Sequence, residues 1–222
     1  MQFETYADRE MAAMLLADVL ASDLKAALVS QDRATLVVPG GTTPGPVFDA
    51  LCAADLDWTR VDVMLSDERW VPETHERSNT ALLRKRLLVN RAAEARFVSF
   101  YAEGETPETA AETLRPAITD LLPLSVLLLG MGADMHTASL FPNAPGLSDA
   151  LRDDAPPLVP VHAAGQEPRI SLSGPALSGA VSKHLVIFGA EKREALERAR
   201  TMAPEYAPVR VVMNDLTVHW AE

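Results

Sequence analysis

Only one cysteine occurs in the 222 residues, so no internal disulfide can form, and a reducing compartment, the cytoplasm, is the expected location. Cys52 lies in the apolar helical pattern FDALCAADL, where a small core residue is expected rather than a nucleophile. Long hydrophobic runs are missing as well: nothing approaches the ~20 apolar residues that cross a bilayer. The opening MQFETYADRE is acidic and polar, unlike a secretory or transit peptide. Basic residues are the minority, 20 Lys and Arg against 31 Asp and Glu, a net charge of −11. That balance disfavours nucleic acid and anionic membranes as partners. It also sets a requirement. Any anionic substrate needs local donors: helix N-termini, backbone N–H groups and a few converging Arg or Lys.

What is present fits an ordinary globular composition, 48% hydrophobic and 23% charged, with no repeats and no linker. The length suits one domain spanning 1–222. Residues 5–29 have helix formers at helical spacing, and Ala34–Val38 follows as a β-rich strand. The strand runs into GGTTPGPVF, with Thr43 placed to cap a helix and Pro44 at its first position. Free N–H groups at such a junction suit an anion, although a plain tight turn reads the same way. Val61–Leu65 is a second strand, leading into Ser66, Asp67, Glu68, Arg69 and Trp70. Polar residues there are costly unless they face a cleft or a solvated loop. Ser78 or Asn79 caps the next helix, Phe97–Tyr101 is a third strand, and 107–122 is a helix with acidic residues near its start.

The centre of the chain is Leu127–Asn143, LLLGMGADMHTASLFPN: a buried strand, a Gly-rich turn, then Asp134 and His136. In an open α/β sheet the carboxyl ends of the strands bind ligands, which makes His136 a general-base candidate. Asp134 could orient the ring through its other nitrogen; alternatively Asp134 caps the turn and Asp67 is the nearer carboxylate. Ser139 lacks the G-x-S-x-G surroundings of a nucleophile. Residues 144–168, with five prolines, read as irregular with one short strand at LVPVH. Arg169–Ser173 and His184–Phe188 read as strands, and Val209–Met213 as the last strand. Lys192 opens a helix, a position the helix dipole disfavours unless an anion offsets it. About six strands alternating with helices predict a Rossmann-like, doubly wound α/β fold: a mostly parallel sheet with helices on both faces.

Five segments, in order over roughly residues 35–195, resemble one family, the 6-phosphogluconolactonases of the pentose phosphate pathway. They are GGTTPGPVF, SDERWVP with SN, LLGMGADMHTASLFPN, PRISLSGPAL and GAEK. The resemblance implies hydrolysis of 6-phosphoglucono-1,5-lactone to 6-phosphogluconate, with no metal and no nucleotide cofactor, on the fold of the glucosamine-6-phosphate deaminase group. It implies that Gly40, Gly41, Thr42 and Thr43 form a phosphate loop and that His136 activates water; Asp67 and Asp134 stand beside it as the candidate catalytic carboxylates of the residue reading above. Arg69, Arg169 and Lys192 would hold the phosphate or the lactone oxygens. The chemistry is self-consistent: a lactone is an activated ester, and an imidazole of ordinary pKa about 6.5 suits its water-activating base. The expected assembly is a monomer or weak homodimer.

One departure is Met135, where the family pattern has Gly. A positive φ there would cost about 1–2 kcal/mol, so the turn is expected to stay in an allowed region, with Met135 covering the pocket edge. A sugar-phosphate isomerase or deaminase would carry Glu five residues after the motif His, where this chain has Phe141. A non-catalytic sugar-phosphate-sensing domain would not need His136 beside Asp67 and Arg69. A metal hydrolase finds no support in histidines scattered at 75, 136, 162, 184 and 219.

Overall fold

The structure, a computed structural model, describes residues 1–163 and 165–222. In chain order the elements are β1 (Gln2–Thr5), α1 (Arg9–Ser30), β2 (Ala34–Val38), α2 (Gly45–Leu51), β3 (Val61–Leu65), β4 (Asp67–Arg69), α3 (Asn79–Arg86), β5 (Arg96–Val98) and α4 (Pro107–Thr119). They continue with β6 (Val126–Leu129), α5 (Leu147–Ala150), β7 (Leu158–Val161), β8 (Arg169–Leu172), α6 (Gly174–Ser178), β9 (Ser182–Phe188), α7 (Ala190–Ala199) and β10 (Leu216–Ala221).

Seven strands form one parallel sheet in the order β1-β10-β9-β6-β2-β3-β5. Every residue of β2, β3 and β6 is buried, as parallel strands covered on both faces require. From β2 the chain builds outward through β3 and β5; from β6 it builds the other way through β9 and β10. The direction reverses between β2 and β6, so the loops leaving these two strands diverge and open a crevice at their carboxyl ends. The doubly wound α/β expectation is met.

Several local expectations need correction. The first residues form the edge strand β1, and α1 begins only at Arg9, after Asp8 accepts a hydrogen bond from the Met11 amide at 2.7 Å. Helix α2 begins at Gly45, with Pro44 rather than Thr43 at its cap and no side-chain cap bond. The third strand is shorter and earlier than expected, at Arg96–Val98. Residues Pro208–Val212 form a 3₁₀ turn rather than a strand. Val209 and Val212, three apart, are both buried there, a spacing that fits a helical turn and not a pleat. The last strand is instead Leu216–Ala221, seated between β9 and β1. A second, three-stranded antiparallel sheet, β4-β8-β7, was not foreseen.

Beside β9 and β10, four side chains join in series. The Tyr6 hydroxyl meets His219 Nδ1 at 2.7 Å, His219 Nε2 meets His184 Nδ1 at 3.0 Å, and His184 Nε2 meets Asp23 at 2.8 Å. A carboxylate only accepts, so His184 carries its proton on Nε2; its bare Nδ1 accepts from His219 Nε2, and His219 Nδ1 accepts from Tyr6. Each donor in the series then meets an acceptor. Burial, reinforced by His184 and opposed by Asp23, pushes the His219 pKa down to about 3 from its ordinary 6.5. The unfolded chain therefore binds a proton that the folded chain refuses. This contribution to stability is complete above about pH 6.5 and is lost as pH falls toward 3, with a slope up to about 1.4 kcal/mol per pH unit. Urea unfolding at pH 7, 5.5 and 4 should show a shallower pH dependence in His219→Gln than in the parent; equal slopes would contradict this linkage.

Candidate active site

The crevice between β2 and β6 is a cavity of about 260 Å³, a size suited to one small ligand. Gly40, Gly41, Thr42, Thr43, Asp67, Arg69, His136, Arg169 and Lys192 all line it, so nine of the ten expected site residues share one space. The tenth, Asp134, reaches it through His136.

Strand β2 delivers the loop Gly40–Thr43, in which the amides of Gly41, Thr42 and Thr43 make no backbone hydrogen bond among the described residues. Gly40 is required by close approach: a Cβ there would lie 1.9 Å from Asn79 Oδ1. Asn79 is itself pinned, buried and donating to the Asp67 carbonyl at 2.9 Å.

After β3, the polar run separates by the two-residue period of a strand. Asp67 and Arg69 face the cavity, whereas Glu68 points away and is fully buried. Its carboxylate accepts from the amides of Arg69, Asn79 and Thr80, each at 2.8 Å, and from the Ser78 hydroxyl at 3.0 Å. Ser78 caps α3, accepting from the Ala81 amide. The expectation that this whole run faces a cleft or solvent is thus corrected: Glu68 is a helix-capping anion in the interior.

Strand β6 delivers Gly130–His136. Asp134 Oδ1 accepts from the His136 backbone amide at 3.2 Å and meets His136 Nδ1 at 2.6 Å. Of the two carboxylates left open by the sequence, Asp134 therefore touches the ring, and it closes the turn too. Because a carboxylate only accepts, the Nδ1 proton lies between them, and Nε2 keeps its lone pair. A Cβ on Gly132 would lie 2.3 Å from the imidazole and 2.4 Å from Asp134 Oδ1, so only glycine leaves room for the pair. Met135 adopts φ 67°, contrary to expectation. The left-handed residue lets the turn close on itself, Gly132 N to His136 O at 3.0 Å and Met135 N to Gly132 O at 2.9 Å. The cost of about 1–2 kcal/mol is offset where the Met135 carbonyl accepts from Val209 N and its side chain packs on the core.

Asp67 accepts from Ser66 Oγ at 3.0 Å and Ser139 Oγ at 2.5 Å, and faces Arg169 Nη1 at 3.8 Å. Arg169 also donates to Gln166 at 2.5 Å, while Arg69 donates to the Arg77 carbonyl at 2.7 Å. Burial pushes the Arg169 pKa down, with Asp67 opposing. The Nε atoms of Arg69 and Arg169 are buried without a partner among the described residues. Leaving such donors unpaired costs about 1–3 kcal/mol each. Lys192, in the first turn of α7, brings a third cation.

Among the residues that sequence reasoning does not mark as site components, three matter most here. Asn79 reads in sequence only as a possible cap, and nothing there shows that it abuts Gly40. Met131 lines the cavity from the Gly-rich turn. Phe141 packs its ring 4.7 Å from the imidazole of His136, with the Arg169 guanidinium over its face at 5.0 Å.

Comparison with known proteins agrees with this architecture. Residues 7–220 match the model of the family described as glucosamine-6-phosphate isomerases/6-phosphogluconolactonase. A 6-phosphogluconolactonase of Pseudomonas aeruginosa is 42% identical over 216 residues, covering 95% of this chain and 90% of that protein. One from Rhizobium meliloti is 39% identical, with 94% of each chain covered. The crystal structure of a 6-phosphogluconolactonase from Shewanella baltica superposes with a TM-score of 0.94 at 31% identity, covering 100% of this chain and 98% of that one. The chain therefore belongs to the glucosamine-6-phosphate isomerase/6-phosphogluconolactonase family.

Proposed function

We propose that this chain, acting as one α/β domain over residues 1–222, hydrolyses 6-phospho-D-glucono-1,5-lactone to 6-phosphogluconate. One observation carries the reading: a carboxylate-held imidazole opens on the same small cavity as three cations and a loop of free amides. The activity of the relatives named above supports the choice of ester. A larger cavity of about 690 Å³ at the other end of the sheet is a poor rival for an anionic substrate, since Glu4, Asp18, Asp23 and Asp215 line it.

In the proposed reaction the phosphate rests on the amides of Gly41, Thr42 and Thr43 with Lys192, near the start of α2. This anion also offsets the unfavourable place of Lys192 in its helix. His136 Nε2 takes a proton from water as the water oxygen bonds to the lactone carbonyl carbon. The Asp134 carboxylate stabilises the resulting imidazolium and fixes its ring. Negative charge gathers on the former carbonyl oxygen, where Arg169 or Arg69, both lining the cavity, receives it. Collapse of the tetrahedral intermediate breaks the bond to the ring oxygen, which takes the proton back from His136. Asp67 acts one step removed, holding Arg169 and Ser139 in place rather than contacting the imidazole. The scheme needs no metal, because the ester is already activated and the protein supplies both base and oxyanion donors. An isomerase would need a second proton carrier beside the base; the ring packed there is that of Phe141, which cannot carry one.

A pH-stat assay on fresh 6-phosphogluconolactone and on the unphosphorylated lactone tests the reading, which requires clear preference for the phosphorylated ester. His136→Ala should lower kcat by about 100-fold or more with the fold intact; wild-type turnover would remove His136 from the base role. Gly132→Ala should also depress kcat, since the added methyl displaces the His136–Asp134 pair. Lys192→Ala should mainly raise KM, and a fall confined to kcat would move Lys192 from the phosphate to the transition state.

A further inference from the structure

Phe141 touches both of the groups between which charge moves in the proposed reaction, yet it can neither donate nor accept a proton. Its ring is tilted by 42° against the His136 imidazole at 4.7 Å between centroids, and Arg169 Cζ lies over its face at 5.0 Å. The backbone that carries it is firmly held. Thr137 Oγ1 donates to the Gly130 carbonyl, the Leu140 amide to the Thr137 carbonyl, and the Ser139 amide to Ser171 Oγ. Leu140, the preceding residue, is buried in the core. Phe141 itself is only half-buried, so its position is not dictated by core filling alone.

Neither partner is fully oriented without it. The His136 ring is held through Nδ1 by Asp134, a side chain 55% exposed, and one bond at one atom leaves the ring plane free to pivot. Arg169 is bonded firmly at Nη2 alone, to Gln166 at 2.5 Å; its Nε is unpaired among the described residues and its Nη1 bond to Ser139 is long at 3.4 Å, so one strong bond leaves its plane underdetermined. An aromatic face attracts a guanidinium and an edge or tilted ring, and here one ring serves both.

We propose that Phe141 is a positioning residue that sets the angle between the base and the guanidinium, and so aligns the attacking water with the oxyanion donor. The inference rests on the lactonase reading for its kinetic consequence, though not for its geometry.

Phe141→Leu keeps an apolar side chain of similar size and removes the aromatic face; Phe141→Tyr keeps the face. Leucine should lower kcat about tenfold while KM changes much less, as expected when alignment is lost and binding retained. Tyrosine should restore most of the turnover. The ring protons of His136, assigned by comparison with His136→Ala, should lose an aromatic ring-current shift in Phe141→Leu and keep it in Phe141→Tyr. Unchanged kcat in Phe141→Leu, equal loss in both variants, or unmoved His136 resonances would overturn the proposal. Thermal unfolding of each variant separates misalignment from misfolding, and Phe141→Met replaces leucine should that variant not fold. If the parent left the phosphorylated lactone intact, the activity reading would fail, and the resonance comparison would still decide whether Phe141 orients the imidazole.

Discussion

A single interior carboxylate, that of Glu68, organises the region on which the site depends. It is fully buried and accepts four hydrogen bonds, three from backbone amides and one from the hydroxyl that caps α3. An uncompensated charge in that place would be prohibitive; with four donors and a helix terminus it becomes a rigid joint. Because side chains alternate along β4, tying Glu68 inward turns Asp67 and Arg69 toward the cavity. The same joint fixes Asn79, which abuts Gly40 and thereby shapes the neighbouring loop. Two walls of the crevice thus hang from one anion that never meets the ligand.

The electrostatics of the crevice resolve the tension posed by an acidic chain. A net charge of −11 is a long-range average, screened over about one Debye length. Within the cavity the nearest charges are Arg69, Arg169 and Lys192, backed by unpaired amides and met by Asp67 alone among its lining carboxylates. Local donors in a partly desolvated space outweigh a diffuse field. The acidic surplus lies elsewhere, including the cavity at the amino ends of the strands.

Much of this was legible in sequence because the pattern and the physics coincide. Buried parallel strands announce themselves as short apolar runs, and β2, β3, β6 and β9 were placed on that basis. Gly-rich turns after strands pointed to the carboxyl edge, and the expected site residues do converge there. What failed were features decided by tertiary context. Leu216–Ala221 contains a histidine and a tryptophan whose polar atoms find partners only across the fold, so it does not read as a buried strand. Val209–Met213 has strand-forming residues, but its burial pattern follows a three-residue turn. Met135 was expected to avoid positive φ; closure of the turn on Gly132 outweighed the local penalty. Glu68 and Phe141 carry no signal of their own, since only three-dimensional neighbours distinguish a helix-capping anion from a solvated one, or a positioning ring from core.

The pairing of β1 with β10 has a consequence for how the chain reaches this state. β1 has no other neighbour in the sheet, and the bond from Tyr6 to His219 spans 213 residues. During synthesis β1 therefore has no template until β10 has left the ribosome, and its edge stays unclaimed for that interval. The central strands can assemble meanwhile around β2 and β3, which are close in sequence. Docking of β1 then acts as a late clasp, closed on β10 only after the strands between them are in place.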